Sequence, residues 1–482
     1  MSKTKTIDLT SGPILKTLAE LALPIMASSL LGTAYNITDM AWIGMLGSKA
    51  VAGVGVGGMY VWLSQGLVAL PRMGGQVNVA QACGRGDYEQ ARGYAASALR
   101  LTFLLGILFA AVCIMFIHPL LGFFNLGDAE TYTAAKLYTL ITCGLILFSF
   151  LNLTLTGLST AQGDSKTPLM ANLLGLVGNM ILDPILILGF GPFPRLEVVG
   201  AAVATVTSQI LVLIVMLIRI MHSDLEPNIL QNMHVLSRFP AKYYISIFKI
   251  GFPTAVQSSI YCMISMILTR MVSAFGAGAI ATQRVGGQIE SVSWNTADGF
   301  AAALNAFVGQ NYGAKKPDRI RKGYNISFKI LAVWGLIVTG AFVFLPGPIA
   351  SLFFHEKDVL AIAINYLIII GFSETFMTIE LMTIGALSGL GMTKLCSIIS
   401  IVLTSARIPL AMILTQTSLG LNGVWWHLQL PLSPKELFST SPSTTPADTY
   451  LTLMTINLTT HLFYFFLFCL FLLHIFLIFF RV

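Results

Sequence analysis

Apolar runs long enough to cross a bilayer recur along almost the whole chain, AAVATVTSQILVLIVMLI at 201–218 being one example. As a helix, about 20 such residues match the hydrocarbon thickness. The runs lack the period-2 alternation of outer-membrane strands. They fix the class before any motif is considered: an all-α polytopic membrane protein, because only helices or closed barrels satisfy every backbone polar group in lipid. Composition agrees. Of 482 residues, 55% are hydrophobic and only 10% charged, with mean hydropathy +0.79, whereas soluble domains carry roughly 25% charged residues. The expected spans are 20–46, 52–81, 95–118, 132–160, 168–190, 198–221, 245–275, 279–311, 327–350, 359–390 and 395–416, with an irregular twelfth. The start, MSKTKTIDLTSGP, is polar and carries no cleavable signal pattern.

Self-comparison reveals an internal repeat. A shift of 229 residues pairs Pro24 with Pro253, Ser29 with Ser258, Gly47 with Gly276 and Ala50 with Ala279. It also pairs Val56-Gly57-Gly58 with Val285-Gly286-Gly287, and Gln81 and Gly84 with Gln310 and Gly313. At 228 residues, Gly157, Gly163 and Lys166 meet Gly385, Gly391 and Lys394. The expected architecture is therefore about 12 transmembrane helices in two pseudo-symmetric six-helix bundles. Residues 1–221 form the first bundle, 222–242 a cytoplasmic linker and 243–426 the second bundle with five clear helices. An even number of spans per half makes the repeat parallel, with its axis along the membrane normal.

The net charge of +7 sits mostly in short loops and is orientation information rather than a nucleic-acid stripe. Lys315, Lys316, Arg319, Arg321 and Lys322, together with Arg85, Arg92, Lys166, Arg238, Lys242 and Lys394, fall on the side of the N-terminus. The positive-inside rule makes that side cytoplasmic, in a multi-pass protein of the cell membrane. The six scattered cysteines form no CxxC pair and the seven histidines no HExxH cluster, so neither disulfides nor a metal centre is expected. The glycine-rich VAGVGVGG (51–58) lacks GK[ST] and a preceding strand, and reads as close helix packing.

Ionisable residues at membrane depth are the functional candidates. Asp39 lies on span 1, about four turns beyond the hinge candidate Pro24. Asn179 and Asp183 stand at i, i+4 on span 5, and Pro184 follows. A structural hydrogen-bond pair is the competing reading of that motif. Neither carboxylate has a lysine or arginine in its own span, and a buried carboxylate without a cation can hold a proton near neutral pH. In the second half, Arg270, Arg284, Glu290, Asp298, Glu374, Glu380 and Arg407 can neutralise one another. Arg284 and Glu290 are weaker candidates for substrate contact or gating, against a purely structural ion network. At the 229 shift Asp39 meets Leu268, so the repeat itself does not require this charge.

The six-plus-six repeat, the QxxG exits from spans 2 and 8 and ATQRVGGQIESVSW (281–294) resemble the MATE family of multidrug and toxic compound extrusion antiporters, over about residues 10 to 426. The entry to span 6, EVVGAAVAT (197–205), is similar to the family form GxxGAAxAT, but Glu197 replaces the first glycine. The resemblance implies that Asp39 is the proton or cation site. For the DinF-like branch it adds Tyr35, Asn152, Asn179, Asp183 and Thr205. The sodium-coupled NorM-like branch has a glutamate on span 7, where this chain has Tyr261, a departure that favours protons over sodium. The implied activity is multidrug efflux by alternating access, exchanging protons for lipophilic or cationic compounds. The protein is expected to be a monomer in the lipid bilayer, with no cofactor and no nucleic-acid partner. Alternatives are a sodium-coupled drug antiporter and a lipid-linked saccharide flippase. A membrane-embedded enzyme lacks a visible nucleophile–base or metal constellation.

After Trp426 the chain departs from the family, with Pro431, Pro434, Pro442 and Pro446 where a twelfth span should run. The reading here is a shift of reading frame near codon 427, which leaves 427–482 as an atypical tail and keeps a non-transporting product as a further alternative. Resequencing that region tests it; an uninterrupted native frame would rule it out.

Overall fold

The computed structural model describes residues 7–426, apart from 125, 127, 191–193, 224–227, 232, 234–239, 355 and 418. Among the described residues there is no strand, and helices account for nearly everything. The first half comprises α1 (Ile14–Gly44), α2 (Ser48–Gly84), α3 (Tyr88–Met115), the short α4 (Ile117–Gly122), α5 (Ala129–Gly144), α6 (Leu147–Ala161), α7 (Lys166–Leu188) and α8 (Glu197–Met221). The second comprises α9 (Ala241–Ser273), α10 (Ala277–Gly313), α11 (Pro317–Phe344), the short α12 (Pro346–Ser351), α13 (Lys357–Gly389), α14 (Thr393–Thr415) and α15 (Leu421–Trp426). Among the described helices nine are long and apolar enough to span, ten if the α5–α6 pair is one span bent by 46°. The run expected at 132–160 as a single span is that bent pair, whereas its repeat-mate α13 is continuous. The expected linker is described only in part, and the tail at 427–482 lies outside the described residues.

Helix lengths obey the repeat. α2 and α10 have 37 residues each, and α3 and α11 have 28 each. Both 37-residue helices start after a glycine at positive φ, Gly47 at 103° and Gly276 at 98°. Such a backbone is open to glycine and strained for other residues.

The face that carries the N-terminus and most loop lysines and arginines is called here the basic face. There the two halves interlock. Leu18, Leu21 and Ala22 of α1 share a core with Phe300 and Phe307 of α10, Leu331 of α11 and Met382 of α13. In mirror fashion, Ile247 and Ala255 of α9 pack with Leu70 of α2, Leu99 of α3, Leu158 of α6 and Val212 of α8. The QxxG motifs explain how the backbones close up. A Cβ at Gly84 would run into the Gln310 carbonyl, and one at Gly313 into that of Gln81. Gln81 Nε2 donates to the Gly389 carbonyl (3.0 Å), and its repeat-mate Gln310 to that of Ala161 (2.7 Å). Near the axis, Gln76 Nε2 donates to Oδ1 of its own mate, Asn305 (3.2 Å).

At the far face each half keeps a core to itself. Ile43, Val54, Tyr138, Ile187 and Val198 belong to the first half, and Ile264, Leu268, Tyr366, Leu367 and Trp425 to the second. The lobes thus share their cores at the basic face and keep separate cores at the far face. α1 takes part in both arrangements: its basic half lies in the second lobe's core and its far half in the first's. Pro24 stands inside the helix near the changeover. It removes one ladder hydrogen bond there and makes that point the easiest to bend.

Candidate functional site

Three helices of the first lobe bring its polar groups together. α1 contributes Tyr35 and Asp39, α7 contributes Asn179 and Asp183, and α8 contributes Thr205. Asp39 is 8% exposed, while Asn179 and Asp183 are fully buried. One helical turn separates the last two, so Asn179 Nδ2 donates to Asp183 Oδ1 at 3.1 Å. The remaining acceptors have no donor: Asp39 Oδ1, Asp183 Oδ2 and Asn179 Oδ1 are buried without a hydrogen-bond partner among the described residues. Tyr35 Oη and Thr205 Oγ1 are likewise unpartnered, although each hydroxyl lies close to the other. Leaving a buried polar atom unpaired costs about 1–3 kcal/mol, more if it is charged. A set of acceptors short of donors can accept a proton, which turns one carboxylate oxygen into a donor.

Asn152 of α6 turns its Nδ2 to α8, and its Oδ1 is another buried acceptor without a hydrogen-bond partner among the described residues. Its amide donates to the backbone carbonyl (2.8 Å) and to Oε1 (2.9 Å) of Gln209, so its donors are spent on α8. Tyr138 of α5, which sequence reasoning overlooked, belongs with the cluster: it is buried, and its neighbours are Asp39, Asp183 and Thr205. Its ring lies against Gly57 of α2, where a Cβ would fall 2.7 Å from it.

The second lobe repeats this contact. Tyr366 of α13, offset from Tyr138 by 228 residues, covers Gly286 of α10, the repeat-mate of Gly57. Tyr366 Oη donates to Glu290 Oε2 at 3.4 Å. Glu374 lies nearby, fully buried, and neither of its carboxylate oxygens has a hydrogen-bond partner among the described residues. The second lobe therefore has a carboxylate pair of its own, on α10 and α13, so the one-sidedness read from the Asp39–Leu268 match applies to that position alone. Arg407 of α14 is the cation near Glu290 and Glu380, and Tyr261 of α9 sits among the same three charges. Arg284 goes elsewhere. Its guanidinium reaches α2 beside Gly55, its own repeat-mate, about 3.4 Å from where a Cβ would stand. Arg284 and Glu290 therefore serve different surroundings.

The entry to α8 supplies one finding that the motif foreshadowed. Glu197, in the place of the family's glycine, has φ 52°, and its counterpart Gly420 has φ 49°. The turn needs the left-handed conformation in both halves, and only the second has the residue that adopts it freely. A Cβ at Gly200 would strike the Leu186 carbonyl, and one at Gly423 that of Leu414.

Among the described residues no group of three or more His, Cys, Asp or Glu side chains could hold a metal ion, and the five described cysteines are free. Two lobes joined at one face, with buried carboxylates in each, define a multi-pass membrane transporter rather than an enzyme. The MatE family profile matches residues 24–185 and 253–413, two segments whose starts lie at the repeat offset, and the chain belongs to that family. It is 28% identical over 424 residues to a probable multidrug resistance protein NorM of Thermotoga maritima, covering 86% of this chain and 88% of the relative. It is also 28% identical over 364 residues to an FAD transporter of Shewanella oneidensis, covering 75% and 79%. Among solved structures, the fold matches a MOP superfamily transporter from Pyrococcus furiosus with TM-score 0.80 at 22% identity, covering 89% of this chain and 95% of that one. It matches an outward-facing multidrug resistance MATE family transporter with TM-score 0.78 at 24% identity, with the same coverage.

Proposed function

We propose that the protein is a proton-coupled multidrug efflux antiporter of the DinF-like branch, exporting lipophilic, often cationic, compounds by alternating access. The observation that carries this reading is the donor deficit around Asp39 and Asp183. Three buried acceptor oxygens lack donors, and one added proton supplies the missing donor while removing a buried charge. Tyr35, Tyr138 and Thr205 add hydroxyls that can reorient to serve either protonation state. Asn152 acts at one remove, by holding Gln209 on α8.

In this scheme the proton enters from the far face, between the separate upper cores. Neutralising Asp39 weakens its hold on a cationic cargo and relaxes the polar contacts that fix the far half of α1. Bending at Pro24 then releases the cargo outward. Once the lobes rock to expose the site on the basic face, the proton leaves and the carboxylate regains its charge for the next cargo. The positive-inside rule supports a cytoplasmic orientation of that face in the cell membrane, and the protein is proposed to work as a monomer. The division at 221–243 follows the repeat, with the 222–242 segment as a cytoplasmic linker. The names of the NorM relatives support the cargo class. A saccharide–pyrophosphate flippase would need a cationic cavity, and the first lobe is acidic. Sodium is the competing ion, since the same oxygens are hard ligands.

The test is transport of a fluorescent lipophilic cation by everted membrane vesicles. Asp39→Asn should reduce gradient-driven uptake to the level of empty vesicles while leaving the amount of inserted protein unchanged. Uptake at the wild-type rate in that variant would refute the assignment, and uptake driven by sodium but not by protons would replace the ion.

A further inference from the structure

The chain ahead of α1 does not hang free from the basic face. Leu9 is fully buried in the core shared with α10, α11 and α13, and Ile7 packs beside it. The backbone carbonyls of this strap are gathered by side chains of the second lobe. Asn311 Nδ2 donates to the Leu9 carbonyl (2.9 Å) and Lys316 Nζ to that of Thr10 (2.8 Å). Arg319 takes three: Nε donates to the Leu9 carbonyl (3.2 Å), Nη1 to that of Gly12 (2.7 Å) and Nη2 to that of Ser11. The strap's own fold is set by Asp8, which accepts from the Thr10 amide, the Thr10 hydroxyl and the Ser11 hydroxyl. Among the described residues its hydrogen-bonded link to the first lobe is slight by comparison, one backbone bond from the Ile7 amide to the Gly163 carbonyl (3.4 Å). At Gly163, whose φ is 90°, a Cβ would stand 2.5 Å from the Ile7 carbonyl.

The repeat does not carry the clasp residues over. Ahead of α9, Ile229 and Leu230 tuck into the first lobe's core much as Leu9 tucks into the second's. At the 229 offset, however, Arg319 corresponds to Gln90 and Lys316 to Asp87. Gln90 is engaged with Arg85 and Asp87 of its own turn. The first lobe thus has no arginine at the position of the Arg319 fork. The reinforced strap is the one that feeds the helix carrying Asp39.

We propose that Arg319, with Lys316 and Asn311, is a positioning residue for transport that clamps the strap at residues 8–12 to the second lobe. The base of α1 then belongs to one lobe and its Asp39 end to the other. With its base held by the clasp and its far end in the first lobe, α1 ties the lobes at the basic face. Opening that face parts Ile7 from Gly163 and has to bend α1 at Pro24 against the clasp, and losing the clasp removes that restraint. The functional importance of that restraint rests on Asp39 as the coupling site; the clasp itself does not.

The experiment measures distances by pulsed electron spin resonance on full-length protein with its native cysteines replaced. One spin-label pair spans the basic face (Lys166→Cys with Lys322→Cys) and a second spans the far face (Met45→Cys with Leu352→Cys). Arg319→Ala should shift the basic-face pair to longer distances and the far-face pair to shorter ones, with Arg319→Lys, which keeps the charge but loses the three-pronged fork, shifting them by less. A reciprocal change of this kind does not arise from misfolding, which broadens both pairs together. Unchanged distributions in Arg319→Ala, or broadening of both, would overturn the proposal. Asp39→Asn is measured in parallel without cargo or gradient. If it leaves both pairs unmoved while Arg319→Ala moves them, the clasp stands and the coupling role of Asp39 falls.

Discussion

In the first lobe the carboxylates come from α1 and α7 and share their surroundings with hydroxyls and an amide. In the second they come from α10 and α13, and Glu290 has a guanidinium, Arg407, in its neighbourhood. Both pairs surround a tyrosine at matching repeat positions, Tyr138 and Tyr366, each seated on a matching glycine. The scaffold is shared and the charges were placed on it separately. Of the four carboxylates only Asp39 lies on α1, the helix that also reaches into the opposite lobe's core. A change of charge at Asp39 is thereby tied to the joint between the lobes, whereas one at Glu374 acts within a single bundle. On the proposed reading, exchange of proton for cargo belongs to Asp39 in the first lobe, and Glu374 in the second offers a further negative charge to a cationic cargo.

The strongest challenge to that division is Glu374→Gln. If Glu374 serves the cargo, the variant should weaken binding of a cationic substrate by about tenfold, the order expected for one charge-assisted contact, while proton release persists. Equilibrium binding of a fluorescent cation to the purified protein measures it, and loss of proton release instead would make the two lobes equivalent. Tyr138→Phe against Tyr366→Phe asks a smaller question. Removing the first hydroxyl should slow gradient-driven transport several-fold, and removing the second should mainly raise the substrate concentration needed, as read from initial rates. Equal effects on both parameters would erase the distinction.

Smaller still is the contrast at the entry turns. Glu197→Gly should raise thermal stability, relieving about 1 kcal/mol of left-handed strain, and Gly420→Ala should lower it by a similar amount. Melting curves in detergent decide, and a destabilised Glu197→Gly would mean that the Arg195–Glu197 pair (3.2 Å) outweighs the strain. The smallest effect concerns pH. Burial tends to raise the Asp8 carboxyl, but the bonds from Ser11 and Thr10 and the charge of Lys316 hold it below its ordinary 3.8. A depressed folded value stabilises the strap above pH 3.8, and that stabilisation is lost only as pH falls through the folded value. With the coupling carboxylate removed (Asp39→Asn), the basic-face distance should therefore be flat between pH 8 and 5; a transition in that variant and window would require a titrating group other than Asp8 and Asp39.

Much of this was legible in the sequence. Gln81/Gln310 and Gly84/Gly313 announced the repeat because close helix crossings tolerate few other residues, and the structure gives each pair a mirrored contact. Asn179 and Asp183 were legible because i, i+4 spacing on a helix guarantees proximity. What was not legible depends on which helices meet. The resemblance places Asn152 with the cluster, and sequence does not show that its Nδ2 bonds Gln209, since the rotation of α6 against α8 is set by packing rather than by local spacing. Tyr138 and Tyr366 stood in register, yet a tyrosine in a greasy run carries no signal until its neighbours are known. The strap was invisible for the same reason: Arg319 read as one more cytoplasmic cation, and its three carbonyl partners lie some 310 residues away in the chain.

The central claim is that Asp39 exchanges a proton for cargo. Purified protein in weakly buffered detergent solution, mixed with a lipophilic cation and followed with a pH indicator, tests it directly. The account predicts net proton release on cargo binding by the wild type and none by Asp39→Asn, with Glu374→Gln releasing protons at higher cargo concentration. Release of the same size from Asp39→Asn, or no release by the wild type under conditions where the cation binds, would contradict it.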